Sequence, residues 1–562
     1  MTLLPTPEDG TPENGLPDDT AADLTAAFEA LRARQPDAVA LHHPVRNGRY
    51  AELTYRQLTE RCDAYTGALS HAGLRPGMRT CLMVPPGPDL AALVLALARL
   101  GVVPVLIDPG IARSALRRCL AEAAPDAFIG VPKAHAGRVL LGWARRSVRL
   151  PVTVGRRWFW RGPTLRALCA AAPDIPPPRA DRSPDDLAAI AFTSGSTGVP
   201  KAVEYRARHL GAQLRLAREA FPLEPGTVGI STFPPFALAG PALGLTLVVP
   251  RMDPIRPASA DPAVLVAEIG RFGASGLFGA PALLDSLSRY CADRALVLEP
   301  LRFVTSAGAS LDPRTAERLR RCLPEDALLH SAYGATECLP LSVIESRELL
   351  GETRLPTERG HGVCVGRPLA ANTVRVITVS DGPIPLWSDD LLAEPGAVGE
   401  ITVAGPAVSE RYFGRPQETA LAKIREGDRI VHRMGDLGRL DEQGRLWLCG
   451  RTSQRVRTPD GDLCTEQVEP IANTVPGVRR SALVGVGAPG AQTPVLCVEA
   501  ERGIRRSQRP GVAAEVLDRF AGYPHTAAIR QVLFHPGFPV DIRHNAKIGR
   551  ERLARWAAGR LR

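Results

Sequence analysis

Lysine is nearly missing from this chain. Of its 69 basic residues only Lys133, Lys201, Lys423 and Lys547 are lysine, the rest being arginine. Where arginine fills almost every basic position, a retained lysine marks a place that needs a compact ammonium, because the two side chains are not interchangeable at such a site. Aromatic residues are also scarce, at 5%, and no block of consecutive basic residues occurs. The net charge of +10 therefore does not come with the stacking platforms and basic runs of a nucleic-acid binder. The eleven cysteines are scattered and none has C-x-x-C spacing. Without an N-terminal signal pattern, they read as the reduced, mostly buried thiols of a cytoplasmic protein. No apolar run reaches membrane-span length, and there are no internal repeats.

What is present is the composition of a globular protein, 45% apolar and 23% charged over 562 residues. That length exceeds what one core serves, so two or more domains are expected. Residues 1–20 are rich in Pro, Asp, Glu, Thr and Gly and read as a disordered tail. Helical spacing over 21–35 is followed by a helix leading from Leu53 to Gly73. Thr80–Val84 and Val102–Ile107 read as strands around an apolar helix, Leu90–Leu100. This alternation predicts a parallel sheet. Residues 150–184 read as a connector. Leu277–Pro281 and Leu301–Ser306 are further strands, and Asp312-Pro313 opens a helix, with proline at a favoured early position. From about 360 short strands dominate and predict a small β subdomain. A last α+β segment begins at Gly450. The expected fold is α/β, with an N-terminal domain over 21–449 and an α+β C-terminal domain over 450–562.

The stretch Thr193-Ser194-Gly195-Ser196-Thr197-Gly198-Val199-Pro200-Lys201 follows an apolar strand, Leu187–Phe192. Open α/β sheets bind ligands at such strand ends. Two glycines permit close backbone approach. Amide and hydroxyl groups form a nest for phosphate oxygens, and Lys201 adds a point charge. It is not a Walker loop, which requires Gly-Lys-Ser/Thr opening a helix.

Further motifs follow in order: Ser306-Ala307-Gly308-Ala309-Ser310, Tyr333-Gly-Ala-Thr336-Glu337, Gly399–Gly405 with Tyr412, Met434-Gly-Asp436, Gly450-Arg451 and Asp541–Arg550 around Lys547. Together they resemble the adenylate-forming superfamily of acyl- and aryl-CoA synthetases, luciferases and adenylation domains. The resemblance covers roughly residues 20–560 and implies that the N-terminal domain holds two α/β sheet subdomains and a small β-barrel, and that the C-terminal domain is mobile. It implies ATP and Mg²⁺ as cofactors, with the 193–201 loop on the phosphates and Ala307, Gly308 and Ala309 beside adenine. Tyr333 would stack on the base, Thr336 would bond the α-phosphate, and Glu337 would hold the metal. Asp436 would accept the ribose hydroxyls, Arg451 would contact ribose and phosphate, and Lys547 would be the catalytic lysine. Gly399–Gly405 and Tyr412 read as fold rather than site. Ala202 stands where the superfamily has glycine, and Ser453 where its hinge is often Asp or Lys. The loop from Gly461 to Glu469 is one residue shorter than usual.

Phe233–Leu238, Pro241–Leu245, Met252–Pro257, Thr336–Pro340 and Phe538–Lys547 are similar to the β-lactone synthetases of long-chain olefin biosynthesis. This resemblance implies that a long-chain 3-hydroxy (2-alkyl-3-hydroxy) fatty acid is adenylated and then closed to a lactone by its own hydroxyl. The substrate pocket would include Phe236, Ala237, Leu238, Phe278 and Gly279. His330 and His544 are candidate bases by their proximity to motifs. Partners that reduce the upstream ketone and decarboxylate the lactone are implied by the resemblance alone. A fatty acyl-CoA synthetase, an acyl-AMP ligase and an inactive adenylate-binding scaffold remain alternatives.

Overall fold

The computed structural model describes residues 24–108, 111–173, 175, 178–193, 199–232, 240–253, 255–256, 259–540 and 548–561. The expected tail, Ser194–Gly198, Phe236–Leu238, His544 and Lys547 lie outside the described residues.

The first sheet has six strands in the order Leu150–Thr153, Ala127–Gly130, Arg79–Met83, Val103–Leu106, Leu187–Phe192, Ala202–Arg206. All neighbours are parallel except the last pair. A second, nine-stranded sheet has a parallel core: Val39–Pro44, Thr246–Val248, Val228–Ser231, Gly276–Gly279, Phe303–Ala307 and Leu328–Ala335. Antiparallel strands flank this core at both edges.

The helix Pro88–Arg99 explains how the two sheets meet. It is apolar nearly all round, the pattern of a helix buried on every face. Leu93 and Leu97 pack with Ile129 and Val152 of the first sheet. Leu95 and Ala96 pack with Leu41 and Leu247 of the second. The helix end carries one buried cation, Arg99, which Glu29 and Asp63 neutralise.

Residues 150–184 are more than a connector. Leu150–Thr153 is the edge strand of the first sheet, and Leu165–Ala171 is a helix. The signal was hidden because the strand is four residues long and contains a proline, which an edge tolerates. The helix at 313 begins as expected, with Asp312 Oδ2 accepting from the Thr315 amide at 3.1 Å.

A six-stranded sheet follows, in which Arg429–Leu440 pairs with Gly399–Ala404, Lys423–Glu426 and Leu446–Arg451. Single bridges Leu386–Arg425 and Ile377–Leu392 curl it back toward Thr373–Ile377. The C-terminal segment holds a three-stranded sheet, Val478–Val486, Thr493–Ala500 and Gln531–Phe534. Its helices include Thr465–Asn473, Arg509–Ala521 and Arg550–Ala558. The stretch from Gly461 to Glu469 is not a loop, because Gly461–Leu463 is a strand and the helix starts at Thr465. Among the described residues no helix is long and apolar enough to cross a membrane.

Inside the six-stranded sheet Arg433 places two nitrogens on Glu400 Oε2, at 3.0 and 2.6 Å, with both side chains buried. Removing one partner of a buried pair strands the other charge. Glu400→Ala should therefore lose about 3–5 kcal/mol of stability, measurable as a lower denaturant midpoint. An unchanged midpoint would show the pair to be dispensable.

Candidate active site

The 193–201 loop joins two antiparallel strands, with Phe192 opposite Ala202. Its ends are tied twice. The Thr193 amide donates to the Lys201 carbonyl at 2.9 Å, and the Lys201 amide donates to Thr193 Oγ1 at 3.0 Å. Ala202, where the superfamily has glycine, is fully buried beside Phe192, so its methyl fills the core.

A second hairpin tip, between Leu328–Ala335 and Cys338–Glu345, carries Thr336 and Glu337. Gly334 makes the approach possible, since a Cβ there would lie 2.7 Å from the Cys338 carbonyl oxygen. The Tyr205 hydroxyl donates to the Thr336 carbonyl. Glu337 is buried. Its Oε1 accepts from the Tyr412 hydroxyl at 2.6 Å, and its backbone oxygen accepts from the Ser409 amide at 2.9 Å. Oε2 makes no hydrogen bond among the described residues.

Asp436 and Arg451 are opposite one another in the register of adjacent strands. Arg451 Nε lies 2.9 Å from Asp436 Oδ1, and the Tyr333 hydroxyl donates to Oδ2 at 2.6 Å. The carboxylate holds the Arg451 guanidinium above its ordinary value. Burial, then Asp436, pushes the Tyr333 phenol well above its own. The hydroxyl is therefore a firm donor at neutral pH.

These groups meet at one cavity of about 1700 Å³. Its wall includes Thr193, Lys201, Ala307, Gly308, Tyr333, Thr336, Glu337, Arg451, Ser453 and Phe278. Gly308, at a φ of 96°, turns the chain away from the end of its strand. Asp436 is buried behind this wall and reaches it through Tyr333 and Arg451. Ala309 and Gly279 do not line the cavity. Gly279 is backed by Leu283, only 3.1 Å from where a Cβ would stand. His330 is buried against Phe221 and is not in the wall.

Three residues belong here that sequence reasoning missed or set aside. Tyr412, read as fold, lines the cavity and grips Glu337, and Lys201 Nζ stands 4.9 Å from its ring centroid. Lys423 is buried behind them and donates to the Ser409 carbonyl and, at 3.1 Å, to its hydroxyl. Its rarity as a lysine was the available signal. His432 lines the cavity and is opposite Lys423 in the strand register. Its Nδ1 lies 3.1 Å from the Ala422 carbonyl, which can only accept. Burial and the nearby Lys423 hold the ring well below its ordinary pKa, so Nε2 keeps its lone pair.

A lysine at the end of a strand-end loop, a buried carboxylate with one oxygen free of hydrogen bonds among the described residues, and a carboxylate clamped by Tyr and Arg together suit a nucleotide with a hydrated cation. Mg²⁺ needs only one or two carboxylates besides phosphates, a demand that the buried Glu337 fits. Residues 28–413 match the AMP-binding enzyme family. The chain belongs to it.

This AMP-binding enzyme is 52% identical to an olefin beta-lactone synthetase of Stenotrophomonas maltophilia, over 95% of this chain and 98% of that one. It is 50% identical to an olefin beta-lactone synthetase of Xanthomonas campestris, over 95% and 97%. Among solved structures it is similar to the amide bond synthetase McbA of Marinactinospora thermotolerans. The TM-score is 0.78 at 24% identity, covering 95% of this chain and 99% of that one. That last likeness bears on the fold alone.

Burial pulls the Lys423 ammonium from 10.5 down to about 8, with Glu337 opposing. Between those values the unfolded chain holds a proton that the folded chain has released, so this group adds stability as pH rises through the window. The thermal midpoint of the wild type should gain on that of Lys423→Met from about pH 8 to 10.5. Parallel curves would contradict the assignment.

Proposed function

We propose that this AMP-binding enzyme is an ATP-dependent β-lactone synthetase acting on a long-chain 3-hydroxy acid, in its specific form a 2-alkyl-3-hydroxy fatty acid. The near full-length relationship to two olefin beta-lactone synthetases carries the reading. In the first half-reaction a carboxylate oxygen attacks the α-phosphorus of ATP and pyrophosphate leaves. In the second, the substrate's own 3-hydroxyl oxygen attacks the acyl carbonyl, AMP leaves and the hydroxyl proton is released. Tethering the nucleophile offsets part of the ring strain, by up to roughly 7–11 kcal/mol in well-oriented cases.

The residues divide accordingly. The loop 193–201 clamps phosphate, with Lys201 as its cation. Glu337 would hold Mg²⁺, which when bound offsets phosphate charge, and Tyr412 and Ser409 orient that carboxylate. Thr336 faces the α-phosphate. Tyr333, Ala307 and Gly308 flank the base. Asp436, beside Tyr333 and Arg451, takes the ribose hydroxyls, for which a carboxylate is a strong acceptor. Phe278 and the 236–238 segment bound the acyl chain. His432 Nε2 is the histidine acceptor in the cavity wall, a role the sequence suggested for His330 or His544. Residues 450–562 act as the mobile domain, turning at Ser453 to bring in Lys547. Val540 and Ile548 bridge the two ends of its segment. The neighbouring steps are a ketone reduction that supplies the hydroxy acid and a decarboxylation that consumes the strained ring, in the cytoplasm.

Incubation with ATP, Mg²⁺ and a long-chain 3-hydroxy acid should yield β-lactone, AMP and pyrophosphate without coenzyme A. A strict coenzyme A requirement with a thioester product would overturn the lactone reading. Lys547→Ala should slow pyrophosphate exchange on the order of a hundredfold while ATP still binds. Undiminished exchange would remove Lys547 from the chemistry.

A further inference from the structure

The chain's positive charge is not spread evenly. Between Asp126 and Asp174 there is no acidic residue, while eight arginines and Lys133 fall in that interval. Nine charges in one stretch nearly equal the net +10 of the whole chain. Arg145, Arg146, Arg149, Arg156, Arg157 and Arg161 are all exposed. Among the described residues none of them pairs with a carboxylate.

The same stretch is unusually apolar at its surface. Five of the fifteen large apolar side chains left exposed among the described residues lie between 139 and 159. Leu140 is 74% exposed, Phe159 63% and Trp158 52%, and Val139 and Leu141 join them. Scattered exposed apolar residues need no explanation, but a cluster of them does.

The aromatic residues and the helix Pro132–Leu141 meet around one buried ring. Trp160 is the buried anchor, with its indole N–H donating to Thr153 Oγ1 at 2.9 Å and its ring stacked 5.4 Å from His135 of the helix Pro132–Leu141. Trp158 and Phe159 lean on Trp160 from outside, at 5.6 and 5.2 Å. One helical turn beyond His135, on the same face, stands Val139, followed by Leu140 and Leu141 at the helix end. The first turn of this helix borders the active-site cavity, where Lys133 and Ala134 belong to the wall, as does Trp143 just beyond the helix end.

We propose that this surface, from the end of the helix Pro132–Leu141 through Trp158 and Phe159, docks on an anionic phospholipid bilayer. Tryptophan and phenylalanine sit at the level of headgroups, aliphatic side chains enter the acyl boundary, and unpaired arginines meet lipid phosphates. Nucleic acid fits the arginines but gives no partner for Val139, Leu140 and Leu141. Docking would put the helix that borders the cavity against the membrane, next to the phase in which a long-chain acid resides. That link to substrate delivery rests on the lactone reading, whereas the membrane surface itself does not.

The full-length protein should co-sediment with vesicles of phosphatidylglycerol and phosphatidylcholine in equal parts, and not with phosphatidylcholine alone. Each arginine near an anionic leaflet strengthens partitioning about fivefold. Arg156→Glu/Arg157→Glu should therefore weaken it by at least about tenfold. Trp158→Ala/Phe159→Ala should also reduce it, and should abolish a blue shift of tryptophan emission on binding. All four side chains are exposed, so thermal midpoints and pyrophosphate release with detergent-dispersed substrate should hold. Wild-type protein left in the supernatant, or both variants binding like wild type, would overturn the proposal. So would sedimentation with duplex DNA but not with the anionic vesicles. Failure to form lactone would sink the reading of function and leave the vesicle result intact.

Discussion

Glu337 is a buried carboxyl group, and much of the site is arranged around it. An isolated buried charge is costly. Here it is met by the Tyr412 hydroxyl at 2.6 Å and by two ammonium groups, Lys201 and Lys423, flanking the Tyr412 ring at 4.9 and 5.8 Å. Lys423 in turn holds Ser409, whose amide fixes the Glu337 backbone. Four segments distant in sequence thus converge on one carboxyl group. The hairpin tip at 336–337, the loop end at Lys201 and the strand carrying Lys423 constrain one another's position.

Much of this fold is legible in the sequence, where elements are long and their periods clean. The strand Leu187–Phe192 and the helix start at Asp312-Pro313 emerge from an apolar run and from proline placement. The short elements do not. Leu150–Thr153 has four residues, too few for any period to register, and its pairing with Ala127–Gly130 is a tertiary fact. Gly461–Leu463 looks like loop because its strand character depends on Val456–Thr458 opposite.

The site divides in the same way. Thr193, Lys201, Tyr333, Glu337, Asp436 and Arg451 stand in motifs, and their spacing along the chain announces them. Lys423 and His432 stand in none, and Tyr412 stands in one that reads as fold. What recruits them is adjacency across strands, Lys423 opposite His432, and a hydroxyl that happens to reach Glu337. Composition left one clue, a lysine kept in a chain that otherwise uses arginine. The surface around Trp158 was hidden differently: its charges are interleaved with apolar residues, so no basic run forms.

Arg550 sets a mechanical condition on the C-terminal segment. Its guanidinium bonds Glu469 of one helix and the Leu483 carbonyl of a strand, and Nε reaches Gln454 Oε1 at 3.2 Å. Gln454 is the residue after Ser453. Four bonds from one guanidinium thus fasten the start of the last helix, Arg550–Ala558, to a second helix, to a strand and to the turn Thr452–Gln454. A bend between these elements would have to break a charge-assisted bond. The segment is braced to turn as a unit rather than to bend.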